Sequence, residues 1–116
     1  MPQPYFTRLQ DYVRPILDEL GPVMEIECTH FFSGAAVYVN GHICMSLTPA
    51  GFALKLPTEA ARRVLDNGGQ QLRYFPSGPV KKGYVVLPEA SVDDGPERSC
   101  LMEVCVRFSA GLLSEE

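Results

Sequence analysis

The sequence predicts an α+β fold in which an antiparallel sheet is covered on one face by helices. Three observations carry that prediction. Asn40-Gly41 lies between two apolar runs, Ala36-Val37-Tyr38-Val39 and His42-Ile43-Cys44-Met45. A two-residue type I′ turn needs φ > 0 at both positions, and Asn-Gly accepts this with least strain. Apolar residues recur at helical spacing near both ends: Leu9, Val13, Ile16, Leu17 and Leu20, then Leu101, Val104, Cys105, Phe108 and Leu112, each a stripe that a sheet can bury. The order along the chain is helix, three or four strands, helix, two strands, helix, as in α+β chains rather than in parallel α/β sheets.

The first helix is expected from Thr7 to Leu20, ended by Gly21-Pro22. Pro15 lies inside it, removes a backbone donor and crowds the carbonyl of Asp11, which predicts a kink or a break. Val23 to Glu27 reads as a linker, and residues 29–56 as a meander. The Asn40-Gly41 turn sets Val39 opposite His42, Tyr38 opposite Ile43 and Ala36 opposite Met45. A turn at Thr48-Pro49-Ala50-Gly51 sets Leu47 opposite Phe52, Met45 opposite Leu54 and Ile43 opposite Leu56. Tyr38, Ile43, Met45, Leu47, Phe52, Leu54 and Leu56 then form the core face. His42, Ser46 and Lys55 share a mixed face with Val37, Val39 and Cys44. A short helix follows, with Thr58 as N-cap, Ala60 to Asn67 as body and Gly68 as stop. Gln71 to Phe75 and Val80 to Leu87 are expected to pair around Pro76-Ser77-Gly78-Pro79. Asp94-Gly95-Pro96 opens the last helix, proline being tolerated in a first turn.

With 116 residues, 46% of them hydrophobic, the chain has enough for one core and one domain spanning residues 1–116. Its formal net charge is −4, whereas a lone domain gripping a nucleic-acid backbone usually carries a basic excess. Direct DNA binding by this chain alone is therefore not expected. No apolar run approaches the roughly 18–20 residues of a membrane span. The start, Met1-Pro2-Gln3-Pro4-Tyr5, lacks the features of a secretory signal. The expectation is a cytoplasmic chain whose Cys28, Cys44, Cys100 and Cys105 stay reduced. They form no Cys-x-x-Cys pair and read as small buried hydrophobes.

Cys28-x-His30 and His42-x-Cys44 contain metal-ligand types. In a continuous strand, nine residues separate His30 from Val39, the partner of His42. That is roughly 30 Å, against the about 2.0–2.3 Å at which zinc holds each ligand. Only a sharp break at Ser33-Gly34 would bring the four together, and neither metal nor cofactor is expected. No Gly-x-Ser-x-Gly elbow is present. Asn67-Gly68-Gly69 follows a helix, where a phosphate loop would precede one. Asp93-Asp94 is ordinary N-terminal capping. No catalytic residue is assigned, and the chain reads as non-enzymatic. What remains are surface features. Phe31 and Phe32 point to opposite faces of a strand, so that one ring is core and the other is available to a partner beside Gly34. Arg62-Arg63 on the middle helix, and Lys81-Lys82 with Arg73 on the second hairpin, could meet an acidic partner or phosphates if their faces converge. The candidate interaction surface is Phe31, Phe32, Gly34, Arg62 and Arg63.

Five stretches in order resemble one family. They are Ile16-Leu17-Asp18-Glu19-Leu20-Gly21-Pro22-Val23, then Phe31-Phe32-Ser33-Gly34-Ala35-Ala36-Val37-Tyr38-Val39-Asn40-Gly41, then Phe52-Ala53-Leu54-Lys55-Leu56, Tyr84-Val85-Val86-Leu87-Pro88-Glu89 and Leu101-Met102-Glu103-Val104-Cys105. Their order and spacing are similar to those of the N-terminal domain of the TfoX (Sxy) competence regulators, over roughly Leu9 to Leu112. Ser33-Gly34 stands where that family has a double glycine, Ala36 replaces its third glycine, and the chain has no tryptophan, so the resemblance is to a divergent, stand-alone member. It implies a two-layer fold like that of type III secretion chaperones. It also implies a role in competence or transcription, exercised in concert with a DNA-binding activator; the exposed ring beside Gly34 would suit such a protein partner or self-association as a homodimer. The alternative, from another class, is a small-molecule-binding domain or small enzyme using a cleft between sheet and helices.

Overall fold

In the computed structural model, which describes residues 4–31, 33–73 and 78–113, helix α1 (Pro4–Leu20) buries Leu9, Val13, Ile16 and Leu20. It starts three residues earlier than expected and runs through Pro15 without a break. Pro15 is exposed, so the lost hydrogen bond lies on the solvent side while the buried stripe holds both halves to the sheet. Each such buried aliphatic is worth roughly 1.5–3 kcal/mol, comparable with the about 3 kcal/mol that an interior proline costs.

Strand β1 (Ile26–Phe31) folds back onto β2 (Gly34–Val39) as an antiparallel pair, Cys28 opposite Val37 and His30 opposite Ala35. The break between them falls at Ser33-Gly34, so the strand is not continuous. A Cβ on Gly34 would collide with the Leu47 carbonyl, and this close approach requires glycine there. Residues expected to be a linker are tied down by the hairpin tip: the Glu25 N–H donates to the Asn40 side-chain carbonyl at 3.0 Å, and the Asn40 N–H donates to the Glu25 carbonyl at 2.7 Å.

Asn40 and Gly41 have φ of 51° and 85°, the left-handed pair that a type I′ turn needs. Strand β3 (His42–Thr48) sets His42 opposite Val39 and Ile43 opposite Tyr38, as expected. A β-bulge follows, after which Met45 faces Val37, Ser46 faces Ala36 and Leu47 faces Ala35. The extra residue is Cys44. A one-residue slip turns side chains to the other face, so the expected faces are corrected. Ala35, Val37 and Val39 join the core, whereas Tyr38 and Ile43 lie on the opposite face. Strand β4 (Gly51–Lys55) pairs Phe52 with Leu47 and Leu54 with Met45, as expected. No Ile43–Leu56 pair forms, because β4 ends at Lys55 and the Leu56 N–H donates to the Gly83 carbonyl at 3.3 Å.

Helix α2 (Thr58–Asp66) is preceded by Pro57 at the cap position without a side-chain hydrogen bond, so Thr58 is its first helical residue rather than its cap. Gly68, with φ of 103°, ends it. Strands β5 (Gln70–Leu72) and β6 (Lys81–Val86) form the second hairpin. The part of its expected turn and strand from Tyr74 to Ser77 lies outside the described residues. β6 inserts beside β4, giving a six-stranded antiparallel sheet in the order β1-β2-β3-β4-β6-β5. A short helix α3 (Glu89–Asp93), not expected from the sequence, precedes α4 (Gly95–Ser109). The Asp94 carboxylate caps α4 by accepting the Glu97 N–H at 3.1 Å.

Helices and sheet share one core in which α1, α2 and α4 cover the same sheet face. α4 packs against α1 and α3 as well as β3 and β4. It therefore buries Met102, Cys105 and Val106, while Leu101, Val104 and Phe108 of the expected stripe are half-buried. Leu112 lies past the helix and is exposed. Among the described residues, no helix is long and apolar enough to cross a membrane.

Candidate functional site

On the helix-covered side of β6, Gly83 has φ of 87° and open space where a side chain would stand. Gly83 is exposed and borders a groove between β6 and α2. Leu56, Val80 and Val85 form the floor of a groove of about 470 Å³, Ala61 and Leu65 of α2 form one wall, and Phe108 from the last turn of α4 closes the other. Arg62, Lys81 and Lys82 stand around it, and among the described residues no carboxylate lines it; Lys55 borders it, but its side chain shares the opposite sheet face with Ala53 and Tyr84. Arg62 is held by Glu59 at 2.6 Å, an exposed pair one turn back on α2. Among the described residues no carboxylate pairs with Lys55, Lys81 or Lys82. Long cationic side chains of this kind lay their stems along apolar surface and keep their charge in water.

Arg62 and Arg63, adjacent in sequence, serve different surfaces. Arg63 reaches a second groove of about 270 Å³ on the other flank of α2, shared with Val64, Cys100, Leu101 and Val104. There the Ser91 hydroxyl donates to the Glu97 carboxylate at 2.6 Å. Phe31 and Gly34 lie far from both, since β1 is one edge of the sheet while α2 packs on β5 and β6 at the other. Phe31 is half-buried and Gly34 buried; Phe32 lies outside the described residues. The structure does not bring the four described positions, Phe31, Gly34, Arg62 and Arg63, together. It does bring Arg62 beside Lys81 and Lys82, the convergence on which a charged contact depended, and adds Gly83 and Phe108. Of these, Gly83 carried a signal, because an isolated glycine in a strand marks a bulge or a close approach.

The sheet face opposite the helices carries Ala36, Ser46 and Ala53 side by side across β2, β3 and β4. All are buried. The Tyr84 hydroxyl, on β6, donates to the Ile43 carbonyl on β3 at 3.2 Å, so its ring lies across β4 and roofs part of this row of small residues.

The cysteines and histidines divide by position. Cys105 is buried against the sheet, and burial, then its hydrogen bond to Cys44, holds its thiol well above the ordinary value. Burial pushes the Cys28 thiol up to about 11. A neutral thiol is a poor nucleophile and a poor metal ligand. The break at Ser33-Gly34 does fold β1 onto β2, yet His30 faces Ala35 and His42 faces Val39. They stand four residues apart along β2, about 13 Å. The His30 ring stacks on Phe6 at 4.4 Å. Among the described residues no three of His, Cys, Asp and Glu cluster closely enough to hold a metal ion.

No curated protein and no solved structure matches the chain. A family model does, over residues 18–109, from the last residues of α1 to the end of α4, and it is that of the TfoX N-terminal domain. The chain belongs to the TfoX N-terminal domain family.

Proposed function

We propose that this chain is a non-catalytic regulatory domain that acts by binding a protein partner, modulating competence or transcription together with a DNA-binding activator. The observation that carries this reading is the groove under α2. Among the described residues its lining is largely apolar and the charged side chains around it are all basic. A substrate site would instead converge polar groups on a reacting atom. A basic rim on a chain of net charge −4 directs encounter without making the whole domain a nucleic-acid binder.

One observation favours a second reading: about 470 Å³ is room enough for a small ligand. Affinity capture from the native cells separates the two, using tagged chain and a Phe108→Asp variant side by side. Recovery of a transcription activator or RNA polymerase by the native chain, lost in the variant, supports regulation. Enrichment of metabolic enzymes alone, or of nothing that depends on Phe108, turns the reading toward the small-molecule alternative.

A further inference from the structure

We infer that the groove between α2, β6 and the last turn of α4 takes an acidic amphipathic segment of a partner protein, an inference that rests on the regulatory reading. The groove is complementary to such a segment in both charge and polarity. Three of the chain's ten lysines and arginines surround this one groove, although acids outnumber bases over the chain as a whole. They come from two elements, Arg62 on α2 and Lys81 and Lys82 on β6. Lys81 and Lys82 have no carboxylate partner among the described residues. Between them lie Leu56, Leu65, Val85 and Phe108, with the exposed Gly83 at the border.

An amphipathic helix docks through apolar residues at i, i+3, i+4 and i+7. Its flanking carboxylates would here face the lysines while its apolar stripe enters the floor. A small anion is less well served, because the cations sit at the rim where water screens them. A nucleic acid would meet only a local basic patch on an acidic domain, without the extended run of phosphate contacts that gives such binding its affinity.

The test uses the full chain and fluorescently labelled synthetic peptides: a Leu/Glu amphipathic helix, its Leu/Lys counterpart, and a scrambled Leu/Glu sequence. Anisotropy should show binding of the Leu/Glu helix alone, weakened at least about tenfold by Lys81→Glu with Lys82→Glu, a loss of about 1.4 kcal/mol. Amide shifts should map to Ala61, Leu65, Gly83 and Val85. Both substitutions are at exposed positions, and circular dichroism checks that the variant folds. Phe108→Ala, which keeps the charges, should weaken binding as well. Equal binding of the basic or scrambled peptide, shifts elsewhere, or competition at the groove by dodecanoate or a DNA oligonucleotide but not by the acidic helix would overturn the inference. The two ideas fail separately. A captured regulatory partner that depends on Phe108 but not on Lys81 and Lys82 sinks the acidic segment and leaves the regulatory reading standing.

Discussion

The Cys105 thiol donates a hydrogen bond to the backbone carbonyl of Cys44 at 3.1 Å, joining α4 to the residue that the β-bulge sets out of register. Both residues are fully buried. A buried carbonyl left without a donor costs about 1–3 kcal/mol. Cys105→Ala should therefore destabilise the fold by about 2–3 kcal/mol, the hydrogen bond and the buried sulfur together. Cys44→Ala keeps the carbonyl and should cost only about 1 kcal/mol. Urea unfolding of the two variants checks the order; equal losses would show that the thiol contact contributes nothing.

The four thiols should react in the order of their exposure. Cys100 is exposed, Cys28 half-buried, and Cys44 and Cys105 buried. Alkylation at about pH 8, followed by peptide mass spectrometry, should label Cys100 first, Cys28 slowly, and the other two at the rate of unfolding. Early labelling of Cys105 would contradict its placement against the sheet.

Stability should fall on the alkaline side through the buried thiols. Cys28 ionises at 9.0 when free and at about 11 in the fold, so the folded state favours the protonated form. This contribution is fully present below the unfolded value and is lost as pH rises from about 9 to about 11. The difference in unfolding midpoint between native chain and Cys28→Ala should change over that window and stay flat at neutral pH.

Two glycines should respond differently to alanine. At Gly41, with φ of 85°, an added Cβ meets open space, so the cost is the left-handed backbone alone, about 1 kcal/mol. At Gly34 the same methyl collides with the Leu47 carbonyl and crowds the Thr48 Cα. Gly34→Ala should cost at least about 2 kcal/mol and weaken amide protection in β2 and β3, while Gly41→Ala should leave β2 protected.

Arg98 fastens α1 to α4. Its guanidinium lies 4.1 Å from the centre of the Tyr12 ring and donates to the Val92 carbonyl at 2.6 Å; Tyr12 in turn packs on Phe52. A double-mutant cycle with Tyr12→Leu and Arg98→Met should give a coupling of about 0.5–2 kcal/mol. Additive losses would reduce the pair to mere proximity.

Most of the secondary structure was legible because its signals are local. Asn40-Gly41 shows its turn in its own φ preferences, and Asp94 caps α4 by reaching three residues on. The unexpected pieces have no such signal: α3 is one and a half turns long, and β1 becomes a strand because Asn40 clamps Glu25 fifteen residues away. The candidate site was legible only as separate charges. Arg62-Arg63 look equivalent as neighbours, yet helical geometry turns them toward different grooves.

By itself the sequence determined the α+β class, the Asn-Gly reversal, the turn at Thr48 to Gly51, the buried stripe of α1 and the family. These depend on backbone preferences and side-chain periodicity within one or two turns of chain. Tertiary structure alone decided that Cys44 would bulge, that β6 would slot between β4 and β5, and that Arg62, Lys81 and Lys82 would share one rim. The physical reason is that a bulge leaves a strand's local pattern intact and is selected by what must be packed across the sheet. Here, exchanging Tyr38 and Ile43 for Val37 and Val39 puts smaller side chains beneath α1, and the Cys105 thiol satisfies the carbonyl that the exchange displaced.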